Sequence, residues 1–202
     1  MIHVFKEGKD PKQPTLVLLH GTGGNESDLM TIGEYLSPSS SLLGIRGNVL
    51  ENGMPRFFRR LSEGVFDEED LISRTKELHD FFDEAAAKYG FERQNMVAVG
   101  YSNGANIAAS LLFHFEHTLK GAVLFHPMVP LRNISLPDMT GIPIFIGAGK
   151  NDMLVPTPET EELIQMLTDA GADVDTYWGN HGHQLTPEEL RSATDWYQKH
   201  FM

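Results

Sequence analysis

Residues 94–116 read QNMVAVGYSNGANIAASLLFHFE. Met96 to Val99 is an apolar run of strand length, and Ile107, Ala108, Leu111, Leu112 and Phe115 recur at helical spacing a few residues later. Between them stands Gly100-Tyr101-Ser102-Asn103-Gly104. Strand, G-x-S-x-G, helix is the pattern of a nucleophile elbow. The chain reverses within a few residues there, which crowds the backbone around Ser102, and glycines at 100 and 104 remove the Cβ atoms that would collide. The turn lifts the Ser102 hydroxyl clear of the sheet, near the positive end of the following helix. The bare pattern also arises by chance; its weight comes from the strand before it and the small-residue helix (Ala105, Ala108, Ala109) after it.

Outward from the elbow, apolar runs alternate with amphipathic stretches. Residues 2–6 alternate like an edge strand, and Thr15 to Leu19 is a continuous apolar run suited to a sheet covered on both faces. It ends in His20-Gly21-Thr22-Gly23-Gly24-Asn25, after which Leu29, Ile32, Tyr35 and Leu36 fall on one helical face. Residues 41–45 are a weak strand candidate. Residues 46–66 show neither period and are expected to form a flap-like insertion. Asp67 is the predicted N-cap of a helix whose inward stripe is Leu71, Thr75, Leu78, Phe82, Ala85 and Tyr89, with Gly90 just past its end. Strands are expected at 119–125, 143–149 and 174–178, with a helix over 158–170. Thr186-Pro187-Glu188-Glu189 opens the last helix, Thr186 as N-cap and Glu189 closing a capping box. Such alternation predicts an α/β fold: a mostly parallel central sheet with helices on both faces and no large cap domain.

Composition narrows the function. The 202 residues suit one domain over 1–202. A formal net charge of −12 repels nucleic-acid phosphates and anionic membranes, so no nucleic-acid partner and no membrane insertion is expected. There is no cysteine, which excludes disulfides, thiolate metal sites and a cysteine nucleophile. The opening MIHVFKEGKD lacks the basic-then-apolar order of a secretory leader, and no apolar run approaches membrane-spanning length, which makes a cytoplasmic location the expectation.

In a parallel sheet of this kind ligands bind along the edge formed by the strand C-terminal ends. Thr22, Ser102, Asp152 and His183 each follow one of the predicted strands onto that edge. A serine hydroxyl needs a base to take its proton. An imidazole titrates near neutrality and can supply that base, and a buried carboxylate fixes its tautomer. Ser102, Asp152 and His183 are therefore the expected catalytic residues, with the backbone N–H groups of Thr22 and Asn103 as the oxyanion hole. The order Ser, Asp, His is that of the α/β-hydrolase arrangement. His183 is preferred over His181 because it abuts the helix cap, and Asp152 over Asp138, Asp173 and Asp175 because it lies just past a buried strand. His20 reads as structural. His126 ends a strand at the same edge and reads equally as a pocket wall or as a packed loop histidine. No rigid histidine pair with a nearby carboxylate exists, so neither a metal nor a cofactor is expected. In Met54-Pro55-Arg56-Phe57-Phe58-Arg59-Arg60-Leu61, Phe57 and Phe58 are candidate pocket walls, and Arg56, Arg59 and Arg60 either meet an anionic substrate group or pair with the acids at 67–70. Among the expected pocket residues are thus Phe57, Phe58, Arg59 and His126. Exposed aromatics there would also offer a contact to a second copy of the chain.

The set L-L-H-G-T-G-G-N-E-x-D-L, G-Y-S-N-G-A-N-I-A, G-x-N-D-x-x-V-P and G-H-Q-L-T resembles the phospholipase/carboxylesterase family of α/β-hydrolases, the small capless branch near acyl-protein thioesterases and dienelactone hydrolases. The segment R-G-x-V-x-E-N-G-M-P-R-F-F-R-R-L is similar to that of bacterial carboxylesterases linked to hydroquinone resistance. The resemblance covers nearly the whole chain. It implies Ser102, Asp152 and His183 as a triad, Thr22 and Asn103 at the oxyanion hole, and a serine esterase acting on a small-molecule carboxylic ester. Acyl-protein thioesterases tend to carry leucine where this chain has Thr22, which points to short or medium acyl and aryl esters rather than long lipids. Thioesterase or lysophospholipase activity is the alternative within the class; a non-catalytic ligand-binding protein on the same fold is the alternative outside it.

Overall fold

A computed structural model describes residues 1–202. Its centre is a seven-stranded sheet. The strands are β1 (His3–Lys6), β2 (Thr15–Leu19), β3 (Leu42–Ile45), β8 (Met96–Tyr101), β9 (Gly121–Phe125), β10 (Pro143–Gly149) and β11 (Asp173–Gly179), in the spatial order β1-β3-β2-β8-β9-β10-β11. Only β1, at the edge against β3, runs antiparallel. The apolar runs read from the sequence form the middle of this sheet, where β2 and β9 are buried along their whole length. Runs without polar alternation demand cover on both faces, and both are covered.

Period two divides the core. Leu16, Leu18, Val97 and Val99 point to one face and pack with Leu36 of α1 (Met30–Leu36) and with Ala193, Trp196 and Tyr197 of α5 (Pro187–Phe201). Val17, Leu19, Met96 and Ala98 point to the other, against α2 (Glu68–Tyr89), α3 (Asn103–His114) and α4 (Thr157–Asp169). The helix ends follow local chemistry. Asp67 accepts the Asp70 N–H at 3.1 Å, and Gly90 takes the left-handed conformation at φ 74° that ends α2. No helix is long and apolar enough to cross a membrane. No cap domain covers the strand ends.

Two expectations change. Tyr35 does not join the buried face of α1; it is exposed, because α1 is short and only Gly33 and Leu36 of it are buried. Residues 46–66 are not a structureless flap. They form two hairpins, β4 (Val49–Glu51) with β5 (Met54–Arg56) and β6 (Arg60–Ser62) with β7 (Val65–Phe66). The first turns on Asn52-Gly53, both at positive φ (51° and 81°), the geometry that Asn-Gly favours in two-residue hairpin loops. After β5 the chain dives into the core, where Phe57 and Phe58 are almost fully buried.

The elbow shows why its glycines are needed. A Cβ on Gly104 would run into the Leu19 carbonyl of β2, and one on Gly100 would come within 2.6 Å of the Gly104 oxygen. Gly104→Ala is therefore expected to destabilise the protein by about 3 kcal/mol or more, as over-packing against an unyielding backbone does. Thermal unfolding of purified variant and parent measures this; an unchanged midpoint contradicts it.

Candidate active site

Ser102 stands at the end of β8 with φ 52° and ψ −113°, a conformation that residues with a Cβ rarely take. It is held there from both sides: its N–H donates to the Phe125 carbonyl at 2.9 Å, and its own carbonyl accepts from Asn106 N–H at 2.9 Å. The bend aims Oγ at His183 Nε2, 2.9 Å away. On the far side of the ring, His183 Nδ1 lies 2.7 Å from Asp152 Oδ2. An ionised carboxylate only accepts, so Nδ1 carries the proton and Nε2 is the acceptor facing the serine hydroxyl.

The loops carrying Asp152 and His183 are tied together. Lys150 N–H donates to the Gly179 carbonyl at 2.9 Å, and Gly182 N–H donates to Asn151 Oδ1 at 2.9 Å. The Tyr101 hydroxyl donates to the His183 carbonyl at 2.6 Å. Asp152 Oδ1 accepts the N–H groups of Leu154 at 2.8 Å and Val155 at 3.0 Å. Burial pushes the Asp152 carboxyl up. The His183 hydrogen bond and the Val155 and Leu154 N–H groups outweigh burial and hold it below the ordinary carboxylate value. The site thus holds an ionised acid, a tautomer-fixed imidazole and a hydroxyl in one hydrogen-bonded line, able to pass a proton from Ser102 to the ring as the oxygen attacks.

Thr22 and Asn103 flank the serine on the wall of the same cavity, which has a volume of about 320 Å³. Neither backbone N–H is engaged by a loop or side-chain acceptor. Asn103 is the first residue of α3, where helical N–H groups lack partners. The segment after β4 braces both. Gly23 N–H donates to the Pro55 carbonyl at 2.9 Å, Arg56 Nη1 donates to Thr22 Oγ1 at 2.8 Å, and Phe57 N–H donates to Asn103 Oδ1 at 2.7 Å. This brace was not foreseen from the sequence; a buried arginine beside two buried aromatics carries no local periodic signal.

The remaining expectations divide. Phe57, Phe58 and Arg59 do not line the cavity. The two rings are buried in the core, and Phe57 packs on His20 with centroids 4.9 Å apart. Phe66, Met128 and Leu154 provide apolar wall instead. Of the three arginines at 56–60, Arg59 alone pairs with the acids at 67–70, meeting Asp67 at 3.0 Å; Arg56 and Arg60 pair with Glu51 at 3.2 and 2.9 Å. His126 both lines the cavity and is buried. His181 is exposed and absent from the hydrogen-bonded line. The Glu189 side chain does not close a capping box: Thr186 Oγ1 accepts the Glu189 N–H at 3.2 Å, while the carboxylate turns inward to His126. His126, Asp152 and His183 bring one ligand atom each within 4.8 Å of one another. Asp152 Oδ2 lies within hydrogen-bond distance of Nδ1 of both rings, 3.2 Å from His126 and 2.7 Å from His183.

The phospholipase/carboxylesterase family profile matches residues 2–201. The putative hydrolase MhqD of Bacillus subtilis (strain 168) is 59% identical over 199 residues, 98% of each chain. Among solved structures, the Bacillus cereus carboxylesterase is 60% identical with a TM-score of 0.98, covering 98% of this chain and 94% of that one. YahD, solved with malic acid, is 33% identical with a TM-score of 0.92, covering 98% of both.

His20 offers a stability test. Its Nδ1 lies 2.6 Å from the Gly21 carbonyl, and Nε2 accepts the Gly47 N–H at 3.0 Å, so the loop holds the neutral ring. Burial pushes its pKa below the ordinary histidine value of 6.5. The stability it contributes is full above that unfolded-state value and is lost as pH falls from there through the depressed folded-state value. Thermal unfolding between about pH 7.5 and 5 should show a steeper acid loss for the parent than for His20→Gln; parallel curves contradict it.

Proposed function

We propose that this chain, which belongs to the phospholipase/carboxylesterase family, is a serine hydrolase that cleaves small carboxylic esters through an acyl-enzyme on Ser102. The observation that carries the reading is the unbroken line Ser102 Oγ–His183 Nε2 at 2.9 Å and His183 Nδ1–Asp152 Oδ2 at 2.7 Å. The Ser102 oxygen attacks the ester carbonyl carbon while its proton passes to His183 Nε2. The carbonyl oxygen, now an anion, accepts the Thr22 and Asn103 N–H groups. His183 returns the proton to the departing alkoxide, leaving the acyl group on Ser102. Water then repeats the sequence and releases the acid. Asp152 stays ionised throughout, holding the tautomer and stabilising the imidazolium.

A cavity of about 320 Å³ sits at the small end of ligand pockets, which supports short acyl or aryl esters. Arg56 and Arg60, already facing Glu51, give no support to a substrate that must carry an anion.

With p-nitrophenyl acetate and excess substrate, a burst of nitrophenol equal to the enzyme present is expected if deacylation is the slower step, and kcat/KM should fall as the acyl chain lengthens. Ser102→Ala should lose at least about 10⁴-fold in kcat. Full activity in that variant removes the reading. Arg56→Met frees the Thr22 loop from its brace. A kcat loss of about 10- to 100-fold is expected, smaller than that of deleting a donor outright, with phosphonate labelling of Ser102 retained. Unchanged kcat shows that the brace does not act on the oxyanion site.

A further inference from the structure

Behind Asp152 lies a second buried imidazole that the reaction above does not use. His126, directly after β9, is 2% exposed and sits at φ 53°. Its N–H is held by the Gly147 carbonyl at 2.7 Å. Its Nδ1 lies 3.2 Å from Asp152 Oδ2 and its Nε2 lies 3.3 Å from Glu189 Oε2. Glu189 reaches it from the first turn of α5, also 2% exposed, with its second oxygen unpartnered. A side chain at position 147 would displace that carboxylate: a Cβ on Gly147 would overlap Glu189 Oε1.

Counting protons defines the arrangement. Ionised carboxylates accept and cannot donate, and a neutral imidazole donates from one nitrogen only. Two carboxylates facing the two nitrogens of one ring therefore require one proton more than a neutral ring holds. That proton lies on the Nε2–Oε2 line, on His126 or on Glu189, as a coupled pair. With the proton at either end, His126 Nδ1–H donates to Asp152 and the His126–Glu189 couple has no net charge. The other titratable groups facing the ring are His183, centroids 5.0 Å apart, and Tyr101, edge-on at 6.0 Å with its hydroxyl directed to the His183 carbonyl.

We propose that His126, backed by Glu189, is a positioning residue that keeps Asp152 ionised and oriented and moderates its pull on the His183 proton. This rests on the triad reading above. Asp152 Oδ2 then receives two imidazole N–H groups and Oδ1 two backbone N–H groups, so a buried carboxylate has four donors. Burial alone pushes the His126 ring down in pKa, and the hydrogen bonds and charges of Glu189 and Asp152 outweigh it, leaving the ring above the ordinary histidine value. The neutral couple also prevents Glu189 from adding a second negative charge beside the base.

The test is the pH profile of kcat/KM for p-nitrophenyl acetate in wild type, His126→Gly and Glu189→Gln, together with histidine ¹⁵N NMR of the wild type. Glycine tolerates the positive φ at 126 without strain and, unlike asparagine, whose amide N–H would fall where Nδ1–H stood, leaves no side-chain donor to Asp152. With the Nδ1–H donor gone, Asp152 binds the His183 imidazolium more strongly. The acid limb of the H126G profile should therefore move up by about 0.5–1 pH unit, with kcat reduced about tenfold and KM within about threefold. In E189Q the amide N–H donates to His126 Nε2, the ring keeps its Nδ1 proton, and the acid limb should stay where wild type has it. An H126G profile that coincides with wild type overturns the proposal. In wild type, His126 Nδ1 should remain protonated from about pH 5 to 9, and a ring that titrates near the ordinary histidine value overturns it without any variant. Absence of ester hydrolysis by the wild-type protein would instead remove the reading of Ser102, and the NMR arm separates the two failures.

Discussion

The site depends on one backbone turn. Ser102 is held at φ 52°, ψ −113°, where a side chain with a Cβ is strained, and surrounding contacts over-determine it. Its N–H and C=O are both hydrogen-bonded, and the two glycines around it fill spaces only backbone can occupy. The close approach of Gly104 to the Leu19 carbonyl locks α3 against the end of β2. That contact also sets the first N–H of α3 beside the loop that carries Thr22. One local conformation thus fixes the hydroxyl and both candidate oxyanion donors relative to the sheet.

The rest of the architecture brings later loops to that point. Parallel register ends β8, β9, β10 and β11 along one edge, so Ser102, His126, Asp152 and His183 arrive together although they lie far apart in sequence. Their loops are joined mainly by main-chain hydrogen bonds, Ser102 to Phe125, His126 to Gly147 and Lys150 to Gly179, with the Asn151 and Tyr101 side chains adding one each. Such bonds lose little conformational entropy and hold positions to fractions of an ångström. The segment at 46–58 supplies the matching support from the opposite side, through Arg56 on Thr22 and Phe57 on Asn103.

Much of this was legible in the sequence because it rests on local rules. Apolar runs without alternation gave the central strands, and G-x-S-x-G, N-D and G-H-Q at strand ends gave the residues that now stand in line. The hairpin at 49–56 also had its signal, Asn52-Gly53, but its strands are three residues each, too short to show a period. Phe57 and Phe58 read as pocket walls, or as exposed aromatics open to a second copy of the chain; the structure buries both rings, while Arg56 lies buried with Thr22 and Glu51 as partners. Glu189 followed the local capping rule only by half. Its backbone obeys it, while its carboxylate is drawn to His126, a partner 63 positions away that no local pattern indicates.

The central claim is covalent: an acyl group is carried by one named oxygen. Mixing the protein with p-nitrophenyl acetate, quenching in acid within the first turnover and mapping the digested peptides by mass tests it directly. The account requires a single acetyl group on the peptide containing Ser102, lost when quenching is delayed until substrate is exhausted. Nitrophenol release with that peptide unmodified, or with the acetyl group fixed elsewhere, would contradict it.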